Sequence, residues 1–531
     1  MSWLTSLRDQ LPLLLVLSPV IGFLVTYAAS RFEPDAVRYL AISNACCTLL
    51  ILGGLEWQFE SSLAMDAATV RLAEHENAES GTESNSLDEI RRTLDRQRVE
   101  TLRRQWFAID GTNLFPALVL VVLTIVVVWR TDSSSNKESL FYPIVMLFEA
   151  ASLGAMISYD VRALIMSSAA SALAMSVLMG LWGTTQRRSH AERFLFAQFC
   201  GGAVIALGFT MLVVAVPWMK FQDSTTPPTV SWNIASIVQD IQKWTTRNEL
   251  AFHYENEVFP WMLLVLSLGF AIQSGLFPFH SWQIGVVGDS PPTIAVLYLA
   301  GSLSACRVGW LRFVMPLAPD LLAAFDWLML IPSLAGAVWG ALRALAPGEP
   351  RQRTAFVLMS LSAISLLGCY SFTRIGMSGT WLMQQQLTII FCAVLLAFEI
   401  EFSTRTLLLL ICLPALGLFA SGFVIVSELL HENPFLVVGV FIVGLLIAFT
   451  ILSAIDRHFT REQKVASEAS DANRLRGPLI AVLLLNAVVN LFPSLLLHQC
   501  EPEFLRVFHR FERSTSADSA EPSSGERQPA P

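Results

Sequence analysis

Long apolar runs separated by short polar stretches recur along the chain, from Leu11–Tyr27 through Ala117–Val128 to Pro434–Ile455. A hydrocarbon core of about 30 Å is crossed by roughly 20 apolar residues in a helix, and these runs are that long or nearly so. Counted in order, they predict about fourteen membrane helices. Their positions are 11–30, 36–56, 112–130, 140–158, 161–183, 194–218, 259–279, 291–315, 320–345, 353–372, 376–399, 404–428, 434–456 and 477–497. The first run is followed by many others, so it reads as an anchor and not as a cleaved leader. The expected fold class is an all-α polytopic membrane protein.

The apolar pattern is interrupted inside the seventh run, where residues 273–282 read QSGLFPFHSW. Pro278 lacks a backbone N–H, and Gly275 readily leaves the helical conformation. Together they are expected to break the helix and free carbonyls that lipid cannot satisfy. Breaks at membrane depth belong beside a cavity and often mark ion sites.

Polar segments punctuate the runs. Residues 57–107 are acidic, and SLDE at 86–89 has the form of a capping box. Leu87, Ile90, Leu94 and Leu102 then outline a short amphipathic helix, either simply solvated or docking a partner. Residues 219–257 form a second polar loop. The last stretch, STSADSAEPSSGERQPAP, holds too little apolar surface to fold.

Composition agrees with this pattern. Of 531 residues, 54% are hydrophobic and 15% charged, whereas a soluble domain has roughly a quarter of its residues charged. The net charge of −8 is concentrated in one loop and near the termini, so it says little about partners. Lys and Arg gather in alternate short loops, around Arg38, Arg130, Arg187, Arg351, Arg405 and Arg457. The other loops carry little beyond Arg162, Lys220, Lys243, Arg247, Arg312 and Arg374. Positive charge stays cytoplasmic, so both termini are expected outside a bacterial inner membrane. The eight Cys show no CxxC or Cys/His spacing, and seven lie in apolar runs; no metal site is expected. No phosphate-cradling glycine motif occurs in a strand–helix context, and neither a cofactor nor nucleic acid is expected.

FPFHSW at 277–282, PPT at 291–293 and WLRF at 310–313 together resemble the antiporter-like membrane subunits of respiratory complex I, subunit M most closely, and their Mrp antiporter kin. FAIDGTNLF at 107–115, FEAASLGAMISYD at 148–160, GLWG at 180–183, HAERFLFAQFCGG at 190–202 and GEPRQRTAF at 348–356 match in the same order. The resemblance implies two inverted five-helix repeats, each with a broken helix lining a half-channel. It implies proton translocation within a complex-I-like NADH:quinone oxidoreductase or antiporter-type module. This chain would then be at most a non-redox subunit in the bilayer. Its partners would be other membrane subunits and, through them, quinone-reducing ones. The expected division is 1–56 for the first two helices, 57–111 for the acidic loop and 112–460 for the antiporter-like core. A linker with the last helix then spans 461–499, and a disordered tail 500–531.

In the family, a half-channel glutamate pairs with a lysine just before the FPFH break, and each shifts the other's proton affinity. The resemblance places these positions at Ala169 and Gln273, so both titratable groups are lost. The family's histidine after RTAF falls on Leu361, and its central lysine of the eleventh span near Ile389–Phe391.

The remaining candidates for a proton pathway are Glu149, His280, Arg307, Asp326 and Gln384, Gln385 and Gln386. Glu149 lies mid-span, where an unpaired charge costs several kcal/mol, so it is expected to be protonated, paired or held by a structural hydrogen bond. Arg307 would pair with Glu149 or Asp326, or else snorkel to the interface. His280 is either a relay imidazole or an interfacial residue closing a helix end. The glutamines can hold water but cannot store a proton. The readings left open are a proton-conducting subunit, a proton-silent scaffold paralogue, and the membrane half of an inorganic-carbon uptake system.

Overall fold

The computed structural model describes residues 2–80, 105–131, 139–183, 187–221, 231–238, 258–317, 327–346, 348–398, 404–462 and 472–508. Among them there is no strand, and two isolated backbone bridges pair Phe107 with Ser158 and Asp160 with Asn233. The helices are α1 Ser2–Phe32, α2 Pro34–Ser80, α3 Leu114–Arg130, α4 Phe141–Ile157, α5 Val161–Trp182, α6 Arg187–Phe221, α7 Val258–Ser274 and α8 Ser281–Asp289. They continue as α9 Pro292–Val314, α10 Trp327–Leu345, α11 Pro350–Tyr370, α12 Arg374–Ala397, α13 Thr404–Glu432, α14 Pro434–Glu462, α15 Ala472–Leu491 and α16 Pro493–Phe508. Among the described residues eight helices are long and apolar enough to cross a membrane, and shorter apolar ones such as α3 and α4 lie between them. The protein is a multi-pass membrane protein.

Two helices form the centre. α9 and α12 have 89% of their apolar windows buried inside the protein, against 28–61% for the other long spans. α9 packs on α3, α4, α5, α7 and α12. It is wound more loosely over Leu299–Leu303 and Trp310–Val314, where the hydrogen bonds span five residues. α6 and α7 meet along a glycine seam. A Cβ on Gly201 would stand 3.0 Å from the Gly269 carbonyl, and one on Gly208 3.1 Å from Leu266 Cα, so only small residues allow this approach.

The break in the seventh run is a helix cap followed by a turn. Gly275 lies in the left-handed region at φ +67. Its N–H donates to the Ile272 carbonyl at 3.2 Å, and that of Leu276 to Ala271 at 3.0 Å, the paired bonds of a Schellman cap. Pro278 follows, and α8 resumes at Ser281.

Three boundaries differ from the expected ones. α2 continues to Ser80, well past residue 56. The expected span 477–497 splits at Phe492, because Pro493 cannot donate into the preceding turn. The expected tail from residue 500 is helical as far as Phe508. Leu496, Cys500 and Phe504 recur every fourth residue and are buried, which gives α16 an apolar stripe against α12. The capping box and amphipathic helix expected over 86–102 lie outside the described residues.

Candidate functional site

The broken helix overhangs a cavity of about 300 Å³. Gly275, Phe277 and Pro278 form one wall, and Arg307, Gln384 and Ser362 bring polar groups to it. The remaining lining is mainly apolar, with Leu263, Leu264 and Leu366 among it. Three polar atoms at this cavity, Ser267 Oγ, Ser333 Oγ and Gln384 Oε1, have no hydrogen-bond partner. A space with polar atoms on its wall can hold water, which would complete their bonding.

Arg307 stands at the polar end. It is buried on α9, so it does not snorkel. Nor does it pair with Glu149: its Nη2 donates to Ser362 Oγ at 2.6 Å, and its Nη1 to Thr388 Oγ1 at 3.4 Å and the Gln384 carbonyl at 3.5 Å. No carboxylate pairs with it among the described residues; Asp326 lies outside them. Arg307 reaches from α9 to Ser362 on α11 and to Gln384 and Thr388 on α12, and residue spacing along the chain does not reveal these partners.

Glu149 lies elsewhere, on α4. It is fully buried, and neither carboxylate oxygen has a partner among the described residues. One turn on, Ser152 hydrogen-bonds Ser171 at 2.9 Å and Ser171 bonds Ser302 at 3.1 Å, a hydroxyl chain bridging α4, α5 and α9. Ala169 sits half-buried on α5, two residues before Ser171, and brings no ionisable group to the chain. His280 is half-buried and stacks on Phe277 with ring centroids 5.5 Å apart. Gln384, Gln385 and Gln386 are all buried on α12, and Gln386 Oε1 accepts from Ser421 Oγ at 2.6 Å.

Gln273 is closed off by a residue that the sequence reading did not single out. Its Nε2 donates to the Gln198 carbonyl at 3.1 Å, and Gln198 Nε2 donates to the Gln273 carbonyl at 3.0 Å. The carbonyl freed at the end of α7 is thus satisfied by α6. Gln198 lies within the HAERFLFAQFCGG stretch, but nothing in the order of residues pairs it with Gln273.

A second buried polar cluster was also missed. Arg312, expected in a loop, is buried at the end of α9 with its Nε 2.6 Å from Asp110 Oδ2. The Arg312 guanidinium lies 3.9 Å from the Tyr159 ring centre and donates to the Met156 carbonyl at 2.8 Å. Tyr159, Thr112 and the Asn113 backbone N–H donate to the same carboxylate. Burial pushes the Asp110 carboxyl up, but Arg312 and these hydrogen bonds outweigh it and hold the group below the usual carboxylate range. Trp381 on α12 donates to the Thr112 carbonyl at 2.9 Å, and a Cβ on Gly111 would overlap the Gln499 carbonyl of α16. The loop before α3 is therefore a junction of α4, α9, α12 and α16.

A polytopic helical core with a capped, interrupted helix over a cavity is the class of protein this architecture defines. Residues 158–406 match the family described as NADH:quinone oxidoreductase/Mrp antiporter, transmembrane. Over those residues the resemblance carried by FPFHSW and its companion motifs to the antiporter-like membrane subunits is borne out. The chain is 22% identical over 279 residues to NAD(P)H-quinone oxidoreductase chain 4 3 of Picosynechococcus sp., covering 52% of this chain and 47% of that protein. It is 24% identical over 274 residues to NADH-quinone oxidoreductase subunit M of Rickettsia prowazekii, covering 51% of each. The chain spans about half the length of the curated relatives it matches. In fold it is similar to a chain of respiratory complex I from Thermus thermophilus, with a TM-score of 0.67 and 17% identity over 93% of this chain and 99% of that one. A chain of the membrane-bound sulfane sulfur reductase, an archaeal respiratory membrane complex, gives 0.70 and 14% over 94% and 98%. One of the Mrp complex from Dietzia sp. gives 0.63 and 14% over the same shares.

Proposed function

We propose that the chain is a membrane subunit of a multisubunit complex-I-like or Mrp-type assembly and takes part in proton translocation there without holding a redox centre. The observation that carries this reading is the interrupted α7–α8 helix over a polar-ended cavity, inside the stretch that matches the antiporter family. Its partners would be other membrane subunits, with quinone-reducing subunits beyond them. Residues 112–460 would form the antiporter-like core. In a bacterial inner membrane, the distribution of Lys and Arg supports an orientation with both termini outside. Tags at the two termini should therefore report the outer face, and a tag near Arg188 the cytoplasm; termini on opposite faces would overturn this orientation.

A second reading has its own support. The crossed Gln198–Gln273 amides and the alanine at 169 favour a scaffold that conducts no protons through its first half-pathway. A relay needs groups that exchange protons, and an amide or a methyl group does not. The two readings separate when the native assembly, purified in mild detergent, is reconstituted in vesicles with a pH-sensitive dye. Sustained redox-driven proton uptake that is lost in Glu149→Gln supports conduction through this chain. Uptake unaffected by Glu149→Gln and by truncation of the serine chain (Ser171→Ala) supports the scaffold.

A further inference from the structure

Arg307 brings a positive charge into a mainly apolar cavity with no carboxylate to balance it among the described residues. A buried charge is ordinarily paired, because desolvation without a partner costs several kcal/mol. The three bonds that Arg307 does make go to neutral oxygens. They occupy Nη1 and one Nη2 hydrogen, which leaves Nε–H and the other Nη2–H. Nε and Nη2 share one edge of the guanidinium, the edge from which an arginine grips a carboxylate through both its oxygens.

The cavity around this fork has the shape of an amphiphile site. Ser333 Oγ, Ser267 Oγ and Gln384 Oε1 are unpartnered at it, so a headgroup with its water would complete their bonding. Away from Arg307 the wall is hydrocarbon, from Leu263, Leu264 and Leu366. The mouth is on the outer surface of the helices, where the lining residues Leu268 and Phe279 are 38% and 36% exposed. In a membrane protein such an apolar surface faces acyl chains. An anion entering from water would meet mostly apolar wall, whereas a lipid-borne anion can slide in head first.

We infer that this cavity binds a single-chain carboxylate amphiphile from the bilayer, with its headgroup on Arg307 and its hydrocarbon leading out past Leu268. Charge complementarity selects the carboxylate, and the apolar wall and lateral mouth select the acyl chain. The site stands whether or not the chain conducts protons.

The test uses delipidated full-length protein and spin-labelled stearate, read as the motionally restricted fraction of the electron paramagnetic resonance spectrum. The native protein should retain the stearate and discriminate against its uncharged methyl ester. Arg307→Gln should weaken retention at least ~10-fold, the value of a charge-assisted hydrogen bond. Ala363→Leu, which fills the cavity and leaves Arg307 in place, should also weaken it. If Arg307→Gln fails to fold, Arg307→Lys and Ala363→Leu carry the same comparison. Equal retention of acid and ester, or of acid by native and Ala363→Leu protein, overturns the site. Displacement of stearate by acetate or chloride at equal concentration would assign Arg307 to a small soluble anion and overturn the amphiphile.

Discussion

Gln198 and Gln273 hold each other across α6 and α7, each side-chain amide donating to the other's backbone carbonyl at 3.0 and 3.1 Å. The pair closes the last turn of α7 at the point where the helix breaks. Gly201 and Gly202 leave the room it needs: a Cβ on Gly201 would stand 2.6 Å from Gln273 Cγ. Removing one member strands a buried carbonyl, so Gln198→Leu and Gln273→Leu should each lower stability by about 1–3 kcal/mol. The double variant should lose less than the sum, with a coupling of roughly 0.5–3 kcal/mol in detergent unfolding. Additive losses would show that the crossed bonds do not act as a unit.

Gly275→Ala should destabilise the break itself. The left-handed conformation at φ +67 costs an L-residue roughly 1–2 kcal/mol, and the added Cβ would stand 2.7 Å from Gln283 Oε1. A lowered melting temperature, with faster proteolysis between α7 and α8, is the expected result. A variant that melts like the native protein would remove the argument that glycine is required there.

Asp110 and Arg312 lock the loop before α3 to the end of α9. Asp110→Asn leaves a buried guanidinium without its charge partner and should cost about 3–5 kcal/mol at neutral pH. Because the folded carboxyl lies below its ordinary range, its stabilisation is fully present above the unfolded value and is lost as pH falls through the folded one. The gap in melting temperature between native and Asp110→Asn protein should therefore stay constant from pH 7 to about 5. It should close only in acid below about pH 4. A gap that closes already near pH 6 would mean that another group carries the effect.

Glu149→Gln keeps the shape of a side chain that has no partner among the described residues and removes its ability to ionise. Its melting temperature should match or exceed that of the native protein, since an unpaired buried carboxylate stabilises nothing. A clear loss of stability would reveal a partner supplied by an assembled subunit or by bound water.

Apolar run length by itself specified that this chain crosses a membrane many times, because the demand of the bilayer for apolar helices is local. The break at Gly275 and Pro278 was legible for the same reason: backbone freedom at a glycine and a missing donor at a proline need no neighbour to act. The end of α16 was legible in principle, from Leu496, Cys500 and Phe504 spaced at every fourth residue, but the polar residues around them masked the stripe. The partners of charged and amide side chains were not legible. Arg307 could have met Glu149, Asp326 or the interface, and it meets Ser362 and Thr388; Arg312 counted as a loop charge and is buried on Asp110. Gln273 stood out as a lost charge, and only the packing of α6 on α7 brought Gln198 to it. Each of these choices depends on helices far apart in sequence approaching within hydrogen-bond range. Burial there makes every unpaired polar group expensive, so the tertiary arrangement, and not the local order of residues, decided which groups meet.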